Sequence, residues 1–374
     1  MHISLDEIKA VYHEMISKKQ RLVKVPIAYK EHADYFKDAT NNSLLPVGSD
    51  GIKTSHVNKI PHFFTEIERI LNQSDAITGA PRINFKRFKV VEKITDKGKS
   101  RKIVKACLRD QIVLRILLER LTSLNIVSGD YLPNKNVLSV IKDIKTEFST
   151  RNDDFTIIRT DIQNFYPSVN VEILLEHFYT RYGNSKEGLM YYELIKKALY
   201  NKKSDEEFTG LPIGLSISGI LGEYYLSIIN IHAFAEGVKL YRYADDCFFI
   251  LDKGIDPENF KNELIDRLSR FNLFISNEKT MRLTKNESFK FLGVEFNNQL
   301  LNIGEEKMNL YKKKIQSDID REIKAYKILK ILKPESTIPS FKSIAAVVKK
   351  EHKNGIRSKT AKRQAILSKL NQLT

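Results

Sequence analysis

Two adjacent aspartates, Asp245 and Asp246, are the residues of this chain best suited to chemistry. Leu240, Tyr241 and Tyr243 precede them, and Phe248, Phe249 and Ile250 follow. Aromatic and β-branched flanks of this kind predict two strands on a half-buried sheet, with the acids at the turn between them. Apolar surroundings place the two carboxylates in a low-dielectric setting, where they repel unless a cation sits between them. The plainer alternative is an Asp-rich turn, since Asp bonds its own backbone. A further acid, Asp161, ends the strand-like run Phe155-Thr156-Ile157-Ile158-Arg159-Thr160, ahead of a turn and a helix from about Val171. Its plainer role is that of a turn or cap carboxylate. Tyr166, five residues on, is on the same footing a core aromatic. Neighbouring strands of one sheet can bring Asp161 and Asp245 together despite their distance along the chain.

Several elements must position these acids. Residues 82–93 mix basic and apolar side chains, Asp96-Lys97-Gly98 supplies a turn, and Lys99-Ser100-Arg101-Lys102-Ile103-Val104 completes a basic β-hairpin. Lys99 and Arg101 suit a triphosphate, Arg through paired contacts; the alternative is a solvated edge strand whose lysines block aggregation. Gly210-Leu211-Pro212-Ile213-Gly214 opens a Gly- and Ser-rich loop before a helix predicted over 220–233. Such a backbone can approach a nucleotide or template strand closely, or pack a helix tightly.

The Ser4-Leu5-Asp6-Glu7 capping box starts a helix with Ile8, Val11, Tyr12 and Met15 on one face. Further helices are predicted over 63–71, 106–124 and 258–271, and one long helix carries Met308, Tyr311, Ile315, Ile319 and Ile323. Residues 274–276 and 289–296 read as single strands, with a turn over 277–280. Loops are expected at 41–43, 48–51, 130–136 and 297–298.

Apolar residues make up 42% and charged residues 29%, which marks a globular chain long enough for two or three subdomains. The net charge of +16 points to a polyanionic partner, most simply nucleic acid. No unbroken apolar run of membrane-spanning length and no basic-then-apolar leader is seen, so no membrane partner and a cytoplasmic location are expected. Only two cysteines are present, Cys107 and Cys247, and Cys247 lies inside a predicted strand, which argues against a disulfide framework or a Cys-based zinc site. His56 and His62 match no metal spacing. Residues 341–374 hold nine Lys or Arg against one acid, Glu351, so half of the net charge lies there, as a solvated tail or a grip on nucleic acid.

In this order and spacing the segments resemble a reverse transcriptase, from roughly Arg82 to Phe296. Tyr243-Ala244-Asp245-Asp246 resembles the catalytic turn of that family, and Asp161-Ile162-Gln163-Asn164-Phe165-Tyr166 its first metal-binding motif. Gly210 to Gly214 looks like the template-and-nucleotide loop, Lys99 and Arg101 like the fingers hairpin, Asn277 to Thr280 like the lysine-bearing turn, and Phe291-Leu292-Gly293 like the primer grip. Ile213 stands where retroviral and group II intron enzymes usually have Gln. With Ser218 to Glu223, this looks more like the bacterial antiphage-defence enzymes, including the abortive-infection type.

The resemblance implies an α+β right-hand polymerase fold with fingers, a palm built of an antiparallel sheet on helices, and a helical thumb. The corresponding division is an N-terminal helical extension over 1–75, fingers over 76–150, palm over 151–296 with a helical insertion near 171–209, and thumb with basic tail over 297–374. It implies RNA-directed DNA synthesis from dNTPs on an RNA template or non-coding RNA, giving a DNA product, with a homo-oligomer or an accessory defence protein as further partners. Two Mg²⁺ ions, or Mn²⁺, would be held by Asp161, Asp245 and the Ile162 carbonyl, with Asp246 beside them. Lys279 would protonate pyrophosphate, and Lys99, Arg101, Tyr166, Pro212, Ile213 and Gly214 would contact the nucleotide. Tyr166 would pack under the sugar and exclude a 2′-hydroxyl. Untemplated or protein-primed synthesis, a catalytically silent RNA-binding scaffold, an RNA-templated RNA polymerase and a nucleotide cyclase are the alternatives; the last leaves the basic hairpin and tail without a use.

Overall fold

The structure is a computed structural model that describes residues 3–20, 63–73, 83–86, 88–94, 100–127, 137–151, 153–201, 210–232, 234–297, 300–332 and 337–354. The expected loops at 41–43, 48–51 and 130–136, His56 and His62, the Asp96-Lys97-Gly98 turn, Lys99, Asn298 and the tail beyond Asn354 lie outside the described residues.

In chain order, helices α1 (Leu5–Gln20) and α2 (Phe63–Asn72) precede the hairpin of β1 (Lys89–Ile94) and β2 (Ser100–Lys105). Helices α3 (Leu108–Ser123) and α4 (Val137–Thr150), strand β3 (Phe155–Asp161), and helices α5 (Phe165–Ser168), α6 (Val171–Tyr182) and α7 (Lys186–Leu199) follow. Next come α8 (Ser218–Ile228), β4 (Val238–Tyr243), β5 (Asp246–Asp252), α9 (Pro257–Ser269) and a 3₁₀ turn at Asn277–Lys279. Strands β6 (Met281–Thr284), β7 (Phe289–Phe291), β8 (Val294–Asn297) and β9 (Leu300–Ile303) lead into α10 (Glu305–Leu332) and α11 (Phe341–Lys353).

The chain divides into two compact units, one of residues 1–18, 45–135 and 155–282, the other of residues 19–44, 136–154 and 283–374. In the first unit the Ser4 hydroxyl caps α1 by accepting from the Glu7 amide at 3.2 Å. Ile8, Val11 and Tyr12 are buried from it, and Tyr12 meets Phe64 of α2 edge-on at 5.1 Å. Helix α3 buries Ile112, Val113, Ile116, Leu117 and Leu121 at helical spacing. Its one fully buried acid, Asp110, is satisfied by Arg109 at 2.7 Å and by the Lys86 amide at 2.8 Å. Asn170 and Ser185 cap α6 and α7 through their side-chain oxygens.

The central sheet runs β4-β5-β3-β6. Strand β5 is buried along Cys247, Phe248, Phe249, Ile250 and Leu251 without alternation, because it is an interior strand covered on both faces. Its antiparallel register with β3 sets Asp246 opposite Asp161, and its register with β4 pairs Tyr243 with Asp246. Helix α8 begins at Ser218 and stops at Ile228, earlier at both ends than the expected 220–233. Asn230 takes a left-handed backbone (φ 55°) just after it, which ends the helix. Of the strand expected over 274–276, a single bridge forms, Ile275 to Ile162.

In the second unit α4 buries Val140, Ile141, Ile144 and Phe148. The Phe148 ring lies 6.0 Å from Phe289 and 6.1 Å from Phe296, which themselves stack at 4.6 Å. Residues 289–296 are not one strand but a tight hairpin, β7 and β8, joined at Leu292 and Gly293. Both of those residues have positive φ, 47° and 72°, so the chain must reverse there; β9 then extends the sheet. Residues 341–353, expected as part of a basic block, form a helix capped by Ser340 and packed on α10 through Ile344, Ala345 and Val348 against Ile319. Burying each of the large aliphatic side chains contributes roughly 1.5–3 kcal/mol. Under this contact the fully buried His352 lies 2.9 Å from Asp318.

Candidate active site

A two-residue turn, Ala244-Asp245, joins β4 to β5. Asp246 is therefore the first residue of β5, not part of the turn's tip. Ala244 has φ 54°, the positive value that tight hairpin turns require and that glycine usually supplies. For alanine this costs roughly 1–2 kcal/mol, so the surroundings must hold it.

Opposite residues of an antiparallel pair project to the same face, so the register brings the Asp161 and Asp246 side chains together. The Ile162 amide donates to the Asp245 carbonyl at 3.2 Å, tying the turn to the residue that follows β3. Asp161, Ile162, Asp245 and Asp246 thus meet at one end of the central sheet. Burial pushes the Asp245 carboxyl up to about 6, with the charges of Asp161 and Asp246 adding to the rise.

A second segment supplies the nearby cation. Gln163 donates its amide to the Phe274 carbonyl and Ser276 donates to the Asp161 carbonyl, each at 2.8 Å, which lays 274–276 alongside the end of β3. The Thr160 and Thr280 hydroxyls meet at 2.7 Å. The 3₁₀ turn between these anchors delivers Lys279, whose Nζ lies 2.5 Å from Asp161 Oδ2.

Tyr166 follows on the short helix α5, and burial with the charges of Glu223 and Asp245 raises its phenol to about 12. It therefore stays neutral and aromatic near the acids. The Gly210–Gly214 loop is bound to this region from three sides. Leu211 donates its amide to the Tyr166 carbonyl at 2.7 Å, Val104 of β2 donates to the Ile213 carbonyl at 2.7 Å, and the Ser218 hydroxyl donates to the Pro212 carbonyl at 2.6 Å. The glycines serve close approach of the chain to itself. A Cβ at Gly210 would lie 2.3 Å from the Tyr166 carbonyl oxygen, and one at Gly214 2.5 Å from that of Val104. Arg101 is exposed on β2, three residues before Val104. Phe291, Leu292 and Gly293 lie in the other compact unit, at the β7–β8 turn.

Two charged residues of this site were missed in the sequence. Arg242 of β4 is buried and pairs with Glu223 of α8, and its Nη1 donates to the Ala244 carbonyl at 2.8 Å. A signal was present for one of them: Glu223 is the one charge in the otherwise apolar or small-polar run of α8, whereas Arg242 shares β4 with Lys239. Burial holds the Glu223 carboxyl above the usual carboxylate range, and Arg242 opposes the rise. His232, whose Nε2 lies 3.5 Å from Arg242, is pushed down to about 3 by burial and by the arginine's charge.

Among the described residues no three His, Cys, Asp or Glu side chains form a metal-holding group. The donor set nevertheless suits a hard divalent cation. Mg²⁺ is commonly held by one or two carboxylates with substrate phosphates completing its shell. A carboxyl raised by burial and by its neighbours' negative charge, beside an acid already bound to an ammonium, marks a place where positive charge is favourable.

An antiparallel sheet with acids at a hairpin turn, packed on helices, has the architecture of a polymerase palm, and the fold is that of the right-hand polymerases. A model of the reverse transcriptase (RNA-dependent DNA polymerase) family matches residues 91–296, more than half of the chain, and the chain belongs to that family. Members of the family are nucleotidyltransferases and generally use divalent metals such as Mg²⁺.

No curated protein matches the sequence. Among solved structures, apo telomerase from Candida tropicalis truncated from its C-terminal domain is 17% identical, with 68% of this chain and 60% of that chain covered and a TM-score of 0.42. Telomerase from Candida albicans with a TWJ fragment of telomeric RNA is 11% identical, over 65% of this chain and 48% of that one, with a TM-score of 0.46. The corresponding Candida tropicalis complex is 14% identical, over 83% and 58%, also at 0.46. This chain spans 48–60% of the length of these telomerase chains. Among the described residues no helix is long and apolar enough to cross a membrane.

Proposed function

We propose that the chain is an RNA-directed DNA polymerase that joins dNTPs at the site formed by Asp161, Asp245 and Asp246. The observation that carries this is the convergence of the acids of β3 and the β4–β5 turn at one end of the sheet, with Lys279 on Asp161. Asp161 and Asp245, with the Ile162 carbonyl, would hold two divalent cations, Mg²⁺ or Mn²⁺. Such ions supply Lewis acidity to the attacking 3′ oxygen and to the departing pyrophosphate oxygen.

The remaining work falls to the chain's own side chains. Lys279 neutralises Asp161 before substrate arrives and, once displaced, offers its Nζ proton to pyrophosphate. Arg101, with Lys99, neutralises the triphosphate. The loop Pro212-Ile213-Gly214, anchored on β2 and on Tyr166, lines the nucleotide, and the Tyr166 ring lies under its sugar. Phe291-Leu292-Gly293 supports the primer end. Residues 76–150 and 151–296 then serve as fingers and palm, and 297–374 as thumb and basic tail.

The net charge of +16 supports a structured RNA as partner, held largely through phosphates. The Leu211-Pro212-Ile213-Gly214 loop, with its likeness to defence enzymes, supports a role against phage in the bacterial cytoplasm. The test is primer extension on an RNA template with dNTPs, with and without Mg²⁺, by the parent chain and by Asp161→Asn. Metal-dependent extension that the variant loses is expected. A parent chain that binds RNA but incorporates nothing would make it a scaffold. Protection from phage that survives Asp161→Asn would remove DNA synthesis from the defence role.

A further inference from the structure

The polymerase reading above gives no task to the buried pair behind the catalytic turn. We infer that Arg242, clamped by Glu223, is a positioning residue that fixes the Ala244-Asp245 turn and so the aim of the Asp245 carboxylate; this rests on that polymerase reading.

The Arg242 side chain is 2% exposed and its two terminal nitrogens are divided between two tasks. Nη2 donates to Glu223 Oε2 on α8, and Nη1 reaches along its own strand to the Ala244 carbonyl at 2.8 Å. Ala244 is the residue whose left-handed backbone makes the turn. One planar fork therefore connects a helix to the carbonyl of the strained residue beside Asp245, a geometry that a lysine's single nitrogen does not reproduce.

The other end of the strut is equally fixed. Gly222, next to Glu223, brings α8 so close to the Asp161 motif that a Cβ there would lie 3.1 Å from Phe165 Cε1 and 3.5 Å from Tyr166 Cε1. Helix α8 thus sets both the aromatic beside the proposed sugar position and, through Glu223 and Arg242, the turn carrying Asp245. Stability alone does not explain the arrangement, because apolar pairs of similar volume replace buried ion pairs without loss. What they cannot replace is the hydrogen bond to the Ala244 carbonyl.

The test uses the full chain with Arg242→Met and Glu223→Leu together, so that no unpaired charge is buried. Hydrogen exchange resolved by peptide reads the turn directly, because the Ile162 amide is held by the Asp245 carbonyl. Steady-state extension of a DNA primer on RNA reads turnover. Exchange across 160–164 and 243–247 is expected to rise about tenfold, and kcat to fall about tenfold with the dNTP KM little changed, as for the loss of one charge-assisted hydrogen bond. Exchange in the interior of β5 should not change. Arg242→Lys, which keeps the charge facing Glu223, should show the same changes in direction, and it decides the matter if the double variant does not fold. Parental exchange at Ile162, or parental kcat in a folded variant, would overturn the inference. A parent chain without nucleotide incorporation would instead overturn the polymerase reading, and exchange at Ile162 alone would then decide whether the anchor exists.

Discussion

Replacing Asp245 by Asn should make the metal-free protein more stable while abolishing its activity. In the folded chain this carboxyl is raised from 3.8 to about 6, chiefly by burial and then by the charge of Asp161. A shift of about two units corresponds to about 3 kcal/mol against the ionised form. Because the folded value lies above the unfolded one, the parent's stability falls as pH rises from about 4 to about 6 and is level above that. At pH 7.5 the whole penalty is present, and Asn does not carry it. Partial solvent screening reduces the gain to about 2–3 kcal/mol. At roughly 2 °C per kcal/mol for a chain of this size, Tm should rise by about 5 °C in chelator. The assay is thermal unfolding at pH 4 and pH 7.5, with EDTA and with Mg²⁺. At pH 4 the advantage should vanish, since the parent's carboxyl is then protonated. Mg²⁺ should raise the parent's Tm and leave the variant's unchanged, because only the parent retains the site. A lower Tm for the variant in EDTA at pH 7.5, or full nucleotide incorporation by it, would refute the assignment of Asp245.

Gly214→Ala should destabilise the first unit by about 2 kcal/mol or more in urea unfolding, since φ is 113° there and the new Cβ would meet the Val104 carbonyl oxygen at 2.5 Å. His232→Gln should flatten the acid limb of stability. The folded histidine is depressed from 6.5 to about 3, so its contribution is complete above pH 6.5 and is lost as pH falls, by about 1 kcal/mol per unit after screening, which denaturant midpoints between pH 6.5 and 4 will show. His352→Ala removes the buried imidazole from Asp318, which keeps its ion pair with Arg321 at 2.7 Å, and should cost the second unit about 1–3 kcal/mol, read by exchange in α10 and α11. Tyr166→Ala should relax the preference for dNTPs over rNTPs in single-nucleotide incorporation, whereas equal use of both by the parent would remove that role from the ring.

Much of the candidate site was open to inspection residue by residue. The aromatic flanks and paired acids announce a hairpin because strand propensity and turn chemistry act over a few neighbours. The same holds for the Ser4 cap and for the apolar stripes of α3 and α10. The misread of 289–296 has an equally local cause. Apolar residues alternate at 289 and 291 and again at 294 and 296, so the phase shifts at Leu292 and Gly293; that shift, easily passed over inside a short apolar run, is the mark of the reversal where both take positive φ. The basic residues of 341–353 hid the apolar face, Ile344, Ala345 and Val348, that docks α11.

Read alone, the order of residues was enough to pick out the acids, the basic hairpin and the glycine loop, since each depends on side-chain type and short spacing. Folding in three dimensions was needed to choose their partners. Lys279 reaches Asp161 across 118 positions and Arg242 meets Glu223 across 19, and in each case strand register and helix packing make the match. A charge in a sequence can find an opposite charge in many places; which one it meets depends on the backbone geometry that buries both.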